Sequence, residues 1–269
     1  MRFLLSFLCI LSIGVAITGI FPSVYGLYAT TVLMSIGFHY YETMNQSLSL
    51  QWLPRATAAA SMGRIISVGA FAQLIAYGLI FIGWKAFDLS FTTVFLIAGV
   101  LTLAVLLFVM IAFPKFREGV PQHKKIILRK RYWLFYALTF MAGARRQIFT
   151  VFAGFLMVER FGFEVHEITA LYLINLVINM IFAPLMGRAV AHFGERRTLL
   201  FEYTGLVCVF LAYGGIYWFG WGVFLAAALY VLDHMFFSLA LALQTYFQKI
   251  ADPGDIAPTA AVAFTINHI

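Results

Sequence analysis

The sequence predicts an all-α integral membrane protein, a polytopic bundle of helices. Of its 269 residues, 63% are hydrophobic and 11% are charged, whereas soluble globular domains are about 45–50% apolar and about 25% charged. The apolar residues stand in runs of about 20, the length that a helix needs to cross the hydrocarbon layer. A soluble, collagen-like or disordered chain is therefore excluded. Cys9 and Cys208 lie inside apolar runs, which favours free thiols over a disulfide.

Nine such runs follow one another, and each is predicted to be a helix because lipid offers no hydrogen-bond partner to open backbone. Breaks rich in proline, glycine or charge separate them. The predicted spans are 3–20, 22–47, 57–82, 90–113, 132–157, 167–187, 198–219, 222–247 and a ninth from Ala257 that is still apolar at Ile269. The first run also resembles a secretory signal peptide, but no Ala-x-Ala-like cleavage site follows it, so a retained helix is favoured.

One break is much longer than the others and divides the chain. It covers 114–131 and contains seven basic residues: Lys115, Arg117, Lys124, Lys125, Arg129, Lys130 and Arg131. We therefore expect four helices in 1–113, a basic central loop in 114–131, and the remaining helices in 132–269.

The basic residues predict the orientation. If the spans alternate in direction, 13 of the 18 Lys and Arg lie on one face: the seven of the long loop with Arg2, Arg55, Arg188, Arg196, Arg197 and Lys249. Loops rich in Lys and Arg stay in the cytoplasm, so the long loop is predicted to be cytoplasmic. The net charge of +7 then reflects topology and contact with anionic lipid, and nucleic-acid binding is not expected.

Polar side chains inside the spans mark a candidate pathway, because an ionisable group deep in a membrane is costly and usually faces protein or water. They are concentrated in spans two, three, five, six and eight, whereas spans one, four and seven are polar-poor. This period of three is typical of a three-helix repeat with one peripheral member. The candidate pathway residues are His39, Glu42, Arg64, Arg145, Arg146, Asn175, Asn179, Asp233 and His234.

Matching depths suggest two intramembrane pairs. Glu42 lies about five residues from the inner end of its span and Arg64 about seven from the inner end of its own. Arg145 and Asp233 lie deeper, at about 13 and about 14 residues from the inner ends of their spans. We therefore expect a Glu42–Arg64 pair and a pair between Asp233 and either Arg145 or Arg146, which project ~100° apart.

Each polar residue also has a purely structural interpretation. Asn175 and Asn179, four residues apart, either line the pathway or join helices. His39 and His234 are either structural hydrogen-bonding groups or proton relays, and Glu42–Arg64 is either a static pair or part of the mechanism.

The break between spans six and seven contains a pattern of glycines and basic residues. The pattern begins with a glycine, which is followed after three residues by an acid and a base, and it ends with a second glycine and a run of basic residues. The positions that match it are Gly187, Gly194, Arg196 and Arg197. This resembles the cytoplasmic loop signature of the major facilitator superfamily. Three positions depart from it: Ala191 stands where the acid is usual, His192 where a base is usual, and Glu195 where the first Arg is usual.

The resemblance implies a fold of twelve helices in two halves, each built from inverted three-helix repeats. The nine spans then correspond to helices three to early eleven, a fragment of the fold, and the polar-poor spans to its peripheral helices. Span three has four glycines but no Gly-Pro, which weakens any likeness to the drug/proton antiporters of this family.

The predicted function is a secondary active transporter that moves a small solute by alternating access in a bacterial inner (plasma) membrane. Coupling to protons is one of the mechanisms that these residues would allow. A polytopic receptor or scaffold and a membrane enzyme are the alternatives. Metal-protease, nucleophile-elbow and nucleotide-binding loop motifs are missing from the sequence. An enzyme is therefore disfavoured, and no cofactor or metal is expected.

Overall fold

The computed structural model describes residues 2–112 and 120–268, and within them it contains helices and no strand. Lys115 and Arg117 of the predicted central loop lie outside the described residues. The helices are α1 (Arg2–Thr18), α2 (Val24–Trp52), α3 (Ala58–Phe87), α4 (Phe91–Ala112), α5 (Trp133–Ile148), α6 (Gly154–Phe161), α7 (Val165–Phe193), α8 (Glu195–Phe219), α9 (Val223–Phe237), α10 (Leu241–Ile250) and α11 (Ile256–Asn267). Each predicted span coincides with one helix or with two consecutive ones, so the all-α class is confirmed.

Two spans are interrupted. The π-helical segment Phe149–Ala153 joins α5 to α6, and the 3₁₀ turn Ser238–Ala240 joins α9 to α10. Among the described residues, five stretches are long and apolar enough to cross a membrane: Ala58–Phe87, Phe91–Ala112, His166–Phe193, Glu195–Phe219 and Val223–Ile250. Helix α2 has 29 residues but is not among them, because polar side chains such as His39, Glu42 and Asn45 lower its mean hydropathy.

The helices form two compact units. The first unit contains the described residues of Met1–Leu48 and Ala76–Pro121. Its helices pack through small residues: a Cβ on Gly37 would lie 2.6 Å from the backbone nitrogen of Leu11, and one on Gly99 would lie 2.5 Å from Cβ of Ala16. Helices α1, α2 and α4 therefore approach to backbone distance, as small residues permit in membrane bundles.

The second unit contains Ser49–Ile75 and Gln122–Ile269. Its larger apolar cluster includes Leu50, Met62, Phe135, Val190 and Phe247, and residues around Met157, Val209 and Ile216 form another. The end of α2 and the first half of α3 thus pack with the C-terminal helices. The division into halves at 114–131 stays a prediction.

The predicted loop after span six is mostly helical, which corrects that prediction. Helix α7 continues past Gly187 to Phe193, and Gly194 alone separates it from α8. Gly194 has φ of +80°, a conformation that favours glycine because it has no Cβ. The predicted span ended at Gly187 because the polar residues Arg188 and His192 follow it, and polar residues are also found where a helix ends at the membrane surface.

Candidate functional site

Helix α5 places Arg145 inside the second unit. Its side chain is 8% exposed, and Nη1 lies 4.0 Å from Oε1 of Glu202 on α8. The guanidinium also lies over the ring of Phe237, 5.0 Å from the centroid, which adds a cation–π contact. Arg145 is therefore held among α5, α8 and the end of α9.

Asp233 on α9 completes a charged cluster, which we define as Arg145, Glu202 and Asp233. Asp233 is 3% exposed, and its carboxylate interacts electrostatically with Arg145, as Glu202 does. Within the described residues, Oε2 of Glu202 and Oδ1 of Asp233 are buried and accept no hydrogen bond. The cluster thus contains one guanidinium and two incompletely satisfied carboxylates.

Arg146 points elsewhere. Its Nη2 donates a hydrogen bond to the carbonyl of Asn267 on α11, at 3.2 Å. Nearby, Gly143 packs so closely that a Cβ would lie 2.3 Å from the same carbonyl oxygen. Of the two arginines considered for Asp233, Arg145 is the one that interacts with it electrostatically, without an ion pair within 4.0 Å, and Arg146 joins α5 to α11. The pair with Asp233 stays a prediction.

The two asparagines of α7 have different surroundings. Oδ1 of Asn179 accepts a hydrogen bond from Oγ of Ser238 at 2.7 Å, a contact that joins α7 to the turn after α9. Asn175 is 1% exposed, and neither Nδ2 nor Oδ1 has a hydrogen-bond partner among the described residues. The helix-joining interpretation thus fits Asn179, whereas Asn175 retains an unused donor and acceptor.

His234 follows Asp233 and lies among aromatic rings. Its ring centroid is 5.7 Å from that of Phe149 and 5.1 Å from that of Tyr230. Phe149 begins the π-helical segment, three residues after Arg146. π-helical turns inside α-helices are often found at functional sites, and this one adjoins the charged cluster.

The remaining candidates lie elsewhere. His39 is half-buried and Glu42 exposed in the first unit, and Arg64 is exposed in the second. The Glu42–Arg64 pair stays a prediction.

The glycine of the signature lies in a helix contact. A Cβ on Gly187 would lie 2.5 Å from the carbonyl oxygen of Ala59, and one on Gly63 would lie 2.4 Å from that of Ala183. We define the small-residue contact by its members, which are Ala59, Gly63 and Ser67 of α3 with Met180, Ala183 and Gly187 of α7. Ser67 completes it with a hydrogen bond from Oγ to the carbonyl of Met180.

The basic part of the signature lies at the start of α8. Arg196 and Arg197 are exposed there. Glu195 stands where the pattern usually has Arg, and its Oε1 forms an ion pair with Nζ of Lys249 at 2.7 Å. The departure at this position thus ties α8 to the end of α10.

Glu202, the one charged residue inside predicted span seven, was missed as a site residue. The predicted span began at Thr198, which placed Glu202 about one turn inside. Helix α8 begins at Glu195, so Glu202 lies about two turns in and is buried. A lone acid in an otherwise apolar stretch was the signal that could have identified it.

A second group of polar residues was not predicted and joins Asp255, between α10 and α11, to the segment that precedes α5. The carboxylate of Asp255 is fully buried and accepts hydrogen bonds from Arg129 and from the hydroxyl of Tyr132 at 3.0 Å. Nε2 of His123 lies 3.6 Å from it. Hydrogen bonding to Arg129 holds the pKa of Asp255 below its usual value, and burial raises the pKa of Tyr132. We call this group the Asp255 clamp.

The described residues contain no cluster of three or more His, Cys, Asp or Glu side chains that could hold a metal ion.

Comparison with known proteins agrees with the helices and the signature. No curated protein sequence matches the chain significantly. The family model described as Major Facilitator Superfamily matches residues 2–269, which is nearly the whole chain. The chain therefore belongs to the major facilitator superfamily, whose members move small solutes across membranes.

Proposed function

We propose that this chain carries a small solute across the membrane by alternating access, that transport is coupled to protons, and that the charged cluster is its centre. The charge balance of the cluster carries this proposal. Ionised carboxylates away from water are costly unless they are paired, and Arg145 can balance only one of Glu202 and Asp233. A proton, or a cationic group of the solute, would neutralise the other.

Asn175, in the same unit as the cluster, supports a site for a polar solute. A buried amide without hydrogen bonds is rare because the lost solvation is not replaced. The unused donor and acceptor of Asn175 would be satisfied by a hydroxyl, amide or carboxyl group of a solute. The proposed solute is therefore small and polar.

The small-residue contact supports alternating access. Close approach of Gly63 and Gly187 to backbone carbonyls gives two helices a smooth surface without long interlocking side chains. Such a contact can separate and re-form with little side-chain rearrangement. We propose that it closes the inner end of the pathway in the conformation described here.

The test is solute uptake by the full chain reconstituted in vesicles with an imposed pH gradient. A panel of labelled small polar solutes identifies the one that accumulates. We expect Asp233→Asn to abolish pH-driven accumulation and Arg145→Ala to abolish uptake. Glu159→Gln is the matched control, because Glu159 is an exposed acid on α6.

The proposal is wrong if normally inserted Arg145→Ala and Asp233→Asn variants both accumulate the solute as the unmodified chain does. If Asp233→Asn loses accumulation but retains exchange of solute across the membrane, the coupling role of Asp233 is supported specifically.

A further inference from the structure

Residues 122–132 form a segment that we call the basic strap. It precedes α5, bends at Lys124 and Lys125, and ends in the 3₁₀ turn Lys130–Tyr132. Ile126 and Leu128 are 80% and 70% exposed, whereas Ile127 between them is half-buried. The strap thus has one side against the protein and one exposed side that carries two large aliphatic residues.

The strap is fixed to the rest of the second unit along the connection between α10 and α11. Gln122 donates from Nε2 to the carbonyl of Pro253 at 2.7 Å, and the backbone N–H of His123 donates to the carbonyl of Gly254 at 3.0 Å. Further along, the Asp255 clamp holds Arg129. The exposure of Ile126 and Leu128 is therefore imposed by a structured segment.

These bonds divide the basic residues of the strap into two groups. Arg129 pairs with Asp255, and Arg131 pairs with Asp252 at 2.7 Å. In the part of the chain that the structure describes, no acidic side chain forms an ion pair with Lys124, Lys125 or Lys130, and all three are exposed. The exposed side is therefore both positively charged and apolar.

The strap also lies where membrane helices begin and end. Trp133, the first residue of α5, is 66% exposed, and tryptophan is enriched at the membrane–water interface. The connection to which the strap is fixed joins the last residue of α10 to the first of α11. Lysines beside exposed aliphatic and indole side chains at this level match a bilayer with negatively charged headgroups. A soluble acidic partner would use the lysines but would leave the aliphatic residues in water.

We propose that the basic strap lies in the headgroup region of the leaflet at which α5 begins and binds anionic lipid. Lys124, Lys125 and Lys130 contact the negative headgroups, and Ile126 and Leu128 enter the boundary with the acyl chains. This is an interaction surface separate from the charged cluster, and it does not depend on the identity of the solute.

The test measures whether the exposed side contacts lipid. The only two cysteines, Cys9 and Cys208, lie outside the strap and are replaced by serine. Ile126→Cys is then labelled with a fluorophore that is sensitive to polarity, and Ile127→Cys is the matched control from the same segment. The full chain is reconstituted in phosphatidylcholine vesicles with increasing phosphatidylglycerol, and lipids with brominated acyl chains serve as quenchers.

We expect the probe at position 126 to shift to the blue and to be quenched as phosphatidylglycerol increases, and the probe at 127 to change much less. Replacing Lys124 or Lys125 by serine should raise the phosphatidylglycerol fraction that gives half of the response about fivefold per lysine. Each lysine near an anionic surface contributes about 1 kcal/mol of electrostatic attraction, which corresponds to that factor. Leu128→Cys should repeat the result if the label at 126 disturbs the strap.

Three results would overturn the proposal. The first is a probe at 126 and at 128 that emits as in water at every lipid composition. The second is a shielded probe that brominated lipid does not quench, which would mean contact with protein, such as a second copy of the chain. The third is quenching that is equal in pure phosphatidylcholine and unaffected by the lysine substitutions, which would remove the role of anionic lipid.

Discussion

The small-residue contact between α3 and α7 makes the sharpest mutational prediction. Gly63→Ala places a methyl group 2.4 Å from the carbonyl oxygen of Ala183 and 3.2 Å from Cα of Gly187. Both neighbours are backbone atoms, which cannot rotate away. The two helices must therefore separate at this point. Gly69→Ala, on the same helix, meets no atom within 4 Å and is the matched control.

The magnitude follows from two opposing effects. Alanine is favoured over glycine inside a helix by about 1 kcal/mol, and this gain is the same at positions 63 and 69. Forcing an extra methyl group into a packed interface costs about 1–3 kcal/mol. The difference in free energy between the Gly63→Ala and Gly69→Ala variants therefore isolates the packing cost. That cost corresponds to about a 5- to 150-fold shift of the equilibrium from closed to separated helices.

Thiol labelling measures that shift. Val190 is 1% exposed and belongs to the same apolar cluster as Ala59 and Met62, so Val190→Cys reports on opening beside the contact. In a background with both native cysteines replaced, Gly63→Ala should raise the rate of maleimide labelling about 5- to 150-fold over Gly69→Ala. Equal rates in variants that melt at equal temperatures would refute the packing argument.

Two further predictions concern other contacts of the second unit. Since the pKa of Asp255 is held below its usual value by Arg129, its contribution to stability is present at neutral pH and is lost as the pH falls below about 4 toward the lowered value. The melting temperature of the unmodified chain should therefore fall in that range, whereas Asp255→Asn should melt lower at neutral pH and change less on acidification. In Gly143→Ala, the added methyl group would lie 2.3 Å from the carbonyl oxygen of Asn267. This variant should melt at a lower temperature than Gly154→Ala, whose methyl group meets no atom within 4 Å. Equal melting temperatures would contradict a close contact between α5 and α11.

The helices could be predicted because the requirement that creates them is local. Each run of about 20 apolar residues must satisfy its own backbone hydrogen bonds in lipid, so its sequence alone determines that it is a helix. Helix ends were less predictable, because polar residues are tolerated on either side of the membrane surface. Arg188 and His192 illustrate this, since α7 continues through both to Phe193.

The partners of the charged residues depend on rotation about each helix, which the sequence specifies only weakly. Depth matching placed Asp233 opposite an arginine, and Arg145 interacts with it electrostatically without forming an ion pair within 4.0 Å. It did not identify Glu202, which forms the ion pair within 4.0 Å, because an error of one turn in the start of α8 moved it toward the surface. The Asp255 clamp was missed because its residues come from segments more than 120 positions apart.

The ion pairs of the second unit indicate which of its contacts can open. Each ion pair that the described residues form with one another lies within 122–269. Residues 49–75 are attached to the rest of the unit through apolar packing and hydrogen bonds to backbone carbonyls. Examples are Ser67 to Met180 and Gln248 to Leu50.

These two kinds of contact differ in the cost of breaking them. A hydrogen bond between membrane helices contributes about 0.6 kcal/mol, whereas a buried carboxylate that loses its partner leaves an uncompensated charge at about 3–5 kcal/mol. Separating α3 from α7 therefore costs much less than separating the strap from Asp255. If the chain alternates between conformations, we expect the small-residue contact to open while the Asp255 clamp stays closed, so that α10, α11 and the strap move together.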